Sequence, residues 1–102
     1  MAEIKEAIQK DIETNKIMLY MKGTPDFPEC GFSAKVIEIL KGMDAAFQTK
    51  NVLADPELRQ GIKEFSNWPT VPQLYVGGKF VGGCDIVVQM ASNGELKKLI
   101  DA

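Results

Sequence analysis

The chain has 102 residues, enough for one domain with one core and too few for a second, so a single domain over 1–102 is expected. Its composition, 45% hydrophobic and 25% charged, is that of an ordinary globular protein, and a net charge of −2 offers no basic excess for nucleic acid or an anionic membrane. Two cysteines and no histidine rule out a disulfide framework, Ser-His and Cys-His triads, and a histidine-ligated zinc site.

Met1 to Lys10 carries Glu3 and Glu6 and no apolar stretch, which suits neither a signal peptide nor an Arg-rich transit peptide. A reducing compartment is expected, most simply a bacterial cytosol, with a mature organellar protein left open. Ile4, Ala7, Ile8 and Ile12 recur at helical spacing and predict an amphipathic helix over 3–14. Ile17 to Met21 is a continuous apolar run, far shorter than the ~20 residues of a membrane span. It suits a central strand covered on both faces. Lys22-Gly23-Thr24-Pro25 ends that strand, and a loop runs on through Pro28. Phe32, Val36, Leu40 and Met43 then mark the apolar face of a second helix, with Gly42 as its stop.

Phe47 to Val52 reads as a more polar strand at a sheet edge. Asp55-Pro56 opens a third helix with Asp as N-cap and Pro in the first turn, and Leu58, Ile62 and Phe65 form its apolar face. Gln73 to Val76 and Lys79 to Val81, joined by Gly77-Gly78, predict a β-hairpin. Residues 86–91 and 95–101 are helical in pattern, interrupted at Asn93-Gly94. A first β-α-β unit should be parallel and the hairpin antiparallel to it. The expected fold is therefore α/β: a four-stranded mixed sheet with helices on both faces, a thioredoxin-like arrangement.

Chemistry concentrates in Cys30-Gly31-Phe32-Ser33. A free cysteine is most often a buried structural residue. Here it stands after a Pro-rich loop at a strand-to-helix junction, where unpaired N–H groups and the helix dipole favour a thiolate. Gly31 leaves the sulfur uncrowded. Ser33 stands where a second redox cysteine would complete the motif, so the chemistry of Cys30 must be completed from outside it. Lys22 either adds charge near that sulfur and pairs with an anionic ligand, or is a solvated strand-end lysine.

Thr70-Val71-Pro72 precedes a strand. An X–Pro bond can be cis, and a cis Val71–Pro72 bond beside Cys30 would leave the Val71 main chain to an extended peptide-like ligand. Gly82-Gly83-Cys84-Asp85 precedes a helix that Asp85 can cap; its amides can bind a carboxylate, and Cys84 reads as a small buried residue rather than a backup thiol. Arg59 and Lys63 share a helix face and can meet one carboxylate, though a solvated helix face is the default reading for such a pair. Trp68 is either a core plug or a wall beside the site.

Lys22-Gly23-Thr24-Pro25, Pro28-Glu29-Cys30-Gly31-Phe32-Ser33, Trp68-Pro69-Thr70-Val71-Pro72-Gln73 and Gly82-Gly83-Cys84-Asp85 keep the order and spacing of one family. Along nearly its whole length the chain resembles a single-domain monothiol glutaredoxin of the CGFS type. The resemblance implies a thioredoxin-like fold with a glutathione groove. Lys22 and Arg59 would meet the glycine carboxylate, and Val71 would pair with the cysteinyl backbone. Cys84 and Asp85 would hold the γ-glutamyl end, with Thr70 and Gly83 beside them.

It also implies a [2Fe–2S] cluster carried between two subunits: a homodimer when cluster-bound and a monomer when apo, with apo iron–sulfur proteins as acceptors and a BolA-like protein as a further partner. Such a cluster takes four thiolates; Cys30 from each of two chains and two glutathiones supply them. The competing reading is a glutathione-dependent thiol–disulfide oxidoreductase in which Cys30 attacks a mixed disulfide. Relatives of this type are generally poor at that reaction, which places it second. A third reading is an adaptor whose thiol is incidental.

Overall fold

Five consecutive apolar residues form strand β1, Ile17–Met21, and all five are buried. Side chains alternate across a strand. Ile17, Leu19 and Met21 therefore enter one core with Val36, Ile37, Leu40, Leu74, Val76, Val87 and Leu96. Met18 and Tyr20 enter a second core with Ile8, Ile12, Val52, Leu58, Ile62, Val71 and Tyr75. A strand apolar on both faces needs a layer on each, and the helices supply them.

The computed structural model describes residues 2–102; Met1, the first residue of the expected 1–102 domain, lies outside the described residues. Around β1 run α1 (Ala2–Thr14), α2 (Gly31–Gly42), β2 (Gln48–Asn51), a short 3₁₀ turn (Val52–Ala54), α3 (Pro56–Ser66), β3 (Gln73–Val76), β4 (Lys79–Gly82), α4 (Cys84–Ser92) and α5 (Glu95–Asp101). The sheet order is β2-β1-β3-β4. β1 is parallel to β2 and antiparallel to β3, and β3 to β4. The expected mixed sheet with helices on both faces is what forms: α1 and α3 cover one face, α2, α4 and α5 the other. No helix among the described residues is long and apolar enough to cross a membrane.

Several boundaries differ from the sequence reading for local reasons. β2 is shorter than 47–52, because Val52 leaves the edge to be buried in the 3₁₀ turn, where the Asn51 side chain caps the Leu53 N–H. Gly42 ends α2, but the left-handed residue after it is Asp44, with φ 55°. Asp55 caps α3 through the Leu58 N–H, as the Asp-Pro signal predicts. Phe32 is not a core residue. It sits in the first turn of α2 and is 63% exposed, whereas Val36 and Leu40 are buried. Helix α4 begins two residues earlier than the pattern indicates, with Gly83 as N-cap, so Asp85 lies inside the first turn and does not cap it.

Gly61 sits within α3 where α1 packs closest: a Cβ there would overlap Ile4 Cγ2. Alanine would gain about 1 kcal/mol of helix propensity against an overpacking cost of about 1–3 kcal/mol. Gly61→Ala is expected to lower the unfolding free energy by about 1 kcal/mol in urea titration; a gain in stability would show that α1 yields freely.

Candidate functional site

The loop from β1 to α2 closes tightly on itself. Lys22 N–H donates to Ser33 Oγ at 3.1 Å, and the Lys22 carbonyl accepts from Glu29 N–H at 2.9 Å. Gly23 N–H donates to Asn51 Oδ1 at 2.9 Å, and Thr24 and Phe27 exchange backbone bonds. Gly23 has φ +92°, and a Cβ on it would lie 2.5 Å from Phe27 O and 2.6 Å from Glu29 N, so only glycine fits. This loop delivers Cys30 to the N-cap of α2 in an extended conformation.

Cys30 is partly exposed and free. Its side chain closes no cap hydrogen bond of ordinary geometry, yet the first amides of α2 lie close enough to favour a negative sulfur. Burial opposes ionisation. The Ser33 and Phe32 N–H groups, the Lys22 charge and the Ser33 hydroxyl outweigh it, and together they hold the Cys30 pKa below the ordinary thiol value. Ser33 is fully buried; its oxygen accepts from Lys22 while its proton stays available to the sulfur. A Cβ at Gly31 would meet nothing within 4 Å, so the glycine is not demanded by the chain's own packing.

The facing wall follows α3. Asn67 takes the left-handed C-cap position at φ 55°, and Trp68 N–H bonds back to Lys63 O at 3.2 Å and Ser66 Oγ at 3.1 Å. The chain then runs through Thr70 to a cis Val71–Pro72 bond, the form that the thioredoxin-like reading favours. The β1–β3 register ends at Tyr20↔Gln73, so the ladder does not claim the Val71 main chain. The third wall is the start of α4. A Cβ on Gly83 would lie 3.4 Å from both Pro72 O and Trp68 Nε1, which is how closely that helix end approaches the loop.

These segments enclose one groove of about 440 Å³. Lys22, Cys30, Arg59, Thr70, Val71, Gly83, Cys84 and Asp85 all line it, as do Phe32, Lys63, Trp68, Pro69, Pro72 and Ile86. Every site residue singled out in the sequence is therefore brought to one place. Trp68 is a wall rather than a core plug; it is 36% exposed and its ring lies 5.9 Å from that of Phe80. Lys63 faces the groove with Arg59 rather than standing on a purely solvated face. Cys84 is a partly exposed thiol on the groove, not a buried filler. Burial, then the negative charges of Asp85 and of an ionised Cys30, raise its pKa, with Lys35 acting in the opposite sense. Phe32 and Ile86 were missed as groove residues because helical periodicity assigns a face but not which end of a helix stays open.

The glutaredoxin family profile matches residues 17–81, from β1 into β4. The chain belongs to the glutaredoxin family. It is 56% identical to the mitochondrial monothiol glutaredoxin-5 of Saccharomyces cerevisiae over 97% of its own length and 68% of that protein's. The solution structure of reduced poplar apo GrxS14 superposes with a TM-score of 0.85 at 49% identity, covering 96% of this chain and 90% of that one. A buckwheat glutaredoxin–glutathione complex shares the thioredoxin-like fold, with a TM-score of 0.88 at 21% identity, over 98% of this chain and 89% of that one. This glutaredoxin is thus of the monothiol kind, with Ser33 in the second motif position.

The opposite shifts of the two thiols predict separable titrations. Alkylation follows the thiolate, so the pH profile of Cys30 should have its midpoint below that of an ordinary thiol and Cys84 above it. Lys22→Gln and Ser33→Ala should each move the Cys30 midpoint upward, the lysine change more. Iodoacetamide labelling followed by peptide mass spectrometry reads both sites; a Cys30 midpoint at or above that of Cys84 would contradict the electrostatics.

Proposed function

We propose that this monothiol glutaredoxin binds glutathione in the groove and, with Cys30, carries a [2Fe–2S] cluster as cargo between two copies of the chain for delivery to apo iron–sulfur proteins. The observation that carries the reading is one acid-shifted thiol at the mouth of a groove with cationic and acidic side chains on separate elements. Lys22 and Arg59, on β1's end and α3, suit the glycine carboxylate of glutathione. The Val71 main chain, outside the sheet ladder, suits the cysteinyl backbone. Asp85 can accept from the γ-glutamyl ammonium, while the first amides of α4 donate to its carboxylate. Thr70 and Gly83 line the same path.

Ligand counting supports the carrier role. With two cysteines and no histidine, and with Cys30 shifted toward ionisation and Cys84 away from it, one chain offers one favoured thiolate ligand. Two chains and two glutathiones make up the four that such a cluster takes. Half of that set exchanges freely, which suits release to an acceptor. The reading treats 1–102 as a single glutaredoxin domain in a reducing, cytosolic compartment, a monomer when apo and a homodimer when loaded, with a BolA-like protein as an alternative second partner.

The same thiol favours a second, weaker activity. Cys30 thiolate would attack the glutathionyl sulfur of a mixed disulfide and release the protein thiolate; a second glutathione would then attack the Cys30 adduct and leave as glutathione disulfide.

Anaerobic reconstitution with iron, sulfide and reduced glutathione tests the carrier reading. The expected result is a visible chromophore that elutes with a dimer, holds about two irons and two glutathiones per dimer, and is lost in Cys30→Ser. A colourless monomer, where a known cluster binder reconstitutes alongside, would move the function to thiol exchange.

A further inference from the structure

Gln73 follows the cis Val71–Pro72 bond and is fully buried. Its neighbours in β3, Leu74 and Val76, show what such a position ordinarily holds: an apolar side chain. A buried primary amide is costly unless both N–H donors and the oxygen are paired. Here all are. Nε2 donates to Trp68 O at 3.2 Å and to Thr70 O at 3.1 Å, and Oε1 accepts from Tyr75 OH at 3.2 Å.

Both carbonyls belong to the wall of the groove. The amide thus reaches back across the proline and clamps the loop that the sheet ladder leaves unpaired. The Trp68 indole is held from the other side by rings. Tyr75 lies 5.3 Å from Phe80, and Phe80 5.9 Å from Trp68, between ring centroids. Gln73 itself pairs with Tyr20 through the backbone, a contact that any residue at this position retains.

We propose that Gln73 is a positioning residue: its amide fixes the Trp68–Val71 wall, so that Thr70 and the Val71 main chain meet the cysteinyl part of glutathione, and it sets groove affinity without acting on Cys30. The inference rests on the glutathione reading above. A residue serving stability alone would lower the unfolding free energy and leave the wall where it is.

Gln73→Leu keeps the size and removes all three bonds; Gln73→Glu keeps the shape and sets a carboxylate against two carbonyls. Three measurements apply to each: glutathione affinity by calorimetry, acrylamide quenching of Trp68, the single tryptophan, and the Cys30 alkylation profile. The expected result is an affinity loss of about tenfold, a more quenchable Trp68 and an unchanged Cys30 profile. Unchanged affinity and quenching, or a Cys30 profile that shifts in parallel, would overturn the proposal. Should both variants fail to fold, Tyr75→Phe removes the bond to Oε1, together with the hydroxyl's contact with Ser66, and leaves both Nε2 bonds in place. It should weaken glutathione by about threefold and raise quenching, and no change in either would overturn the proposal. Wild-type protein that binds no glutathione would refute the functional reading instead, while the quenching comparison still decides whether Gln73 holds the wall.

Discussion

The site depends first on how the main chain of Lys22 is held. Its N–H is bonded to Ser33 Oγ and its carbonyl to Glu29 N–H, while the adjoining Gly23 N–H is bonded to Asn51. These bonds join the last residue before the loop to the first turn of α2 and to the edge strand β2. Cys30 is caught between them, so its sulfur stays at a helix N-terminus within reach of the Lys22 charge. Ser33 is thereby more than the absence of a second thiol. Its oxygen locks β1 to α2, and its hydroxyl favours a negative sulfur at Cys30.

Two thiols share the groove and are driven in opposite directions. Both are at the start of helices, α2 and α4, and both are partly buried. The difference is in the neighbours. Burial raises both pKa values; at Cys30 it is outweighed by the Ser33 and Phe32 N–H groups, then by Lys22 and the Ser33 hydroxyl, whereas at Cys84 the charge of Asp85, and of Cys30 once ionised, adds to it. The electrostatic consequence is that Cys30 ionises before Cys84.

Opposite Cys30, the wall is a loop with little ladder pairing of its own. It is made firm by the left-handed turn at Asn67, the amide of Gln73 and the rings of Tyr75 and Phe80. The groove is thus assembled from segments held by side-chain hydrogen bonds and ring packing more than by the sheet itself, and a rigid wall keeps the entropy lost on binding small.

Much of this was legible in the chain. The five-residue apolar run of β1 had to be a central strand, since nothing on it could face water, and the Asp55-Pro56 pair had to open a helix. Cys30, Lys22, Val71 and Asp85 were found because short motifs report local backbone geometry: a helix start, a cis-proline turn, a glycine approach. Arg59, in the middle of a helix, is placed at the site by the family resemblance. The exposure of Phe32 escaped notice, and the residues alone make Lys63 first a solvated charge and Cys84 a small buried residue, because periodicity gives a face of a helix and not what lies across from it. The role of Gln73 was equally hidden: a glutamine in a strand looks polar and solvent-facing until the fold buries it against carbonyls of its own preceding loop. Sequence alone determined the elements and the reactive atom, because both are set by neighbours along the chain. The tertiary structure alone decided which of two cysteines ionises and what holds the groove open, because burial and charge proximity are properties of contacts between distant segments.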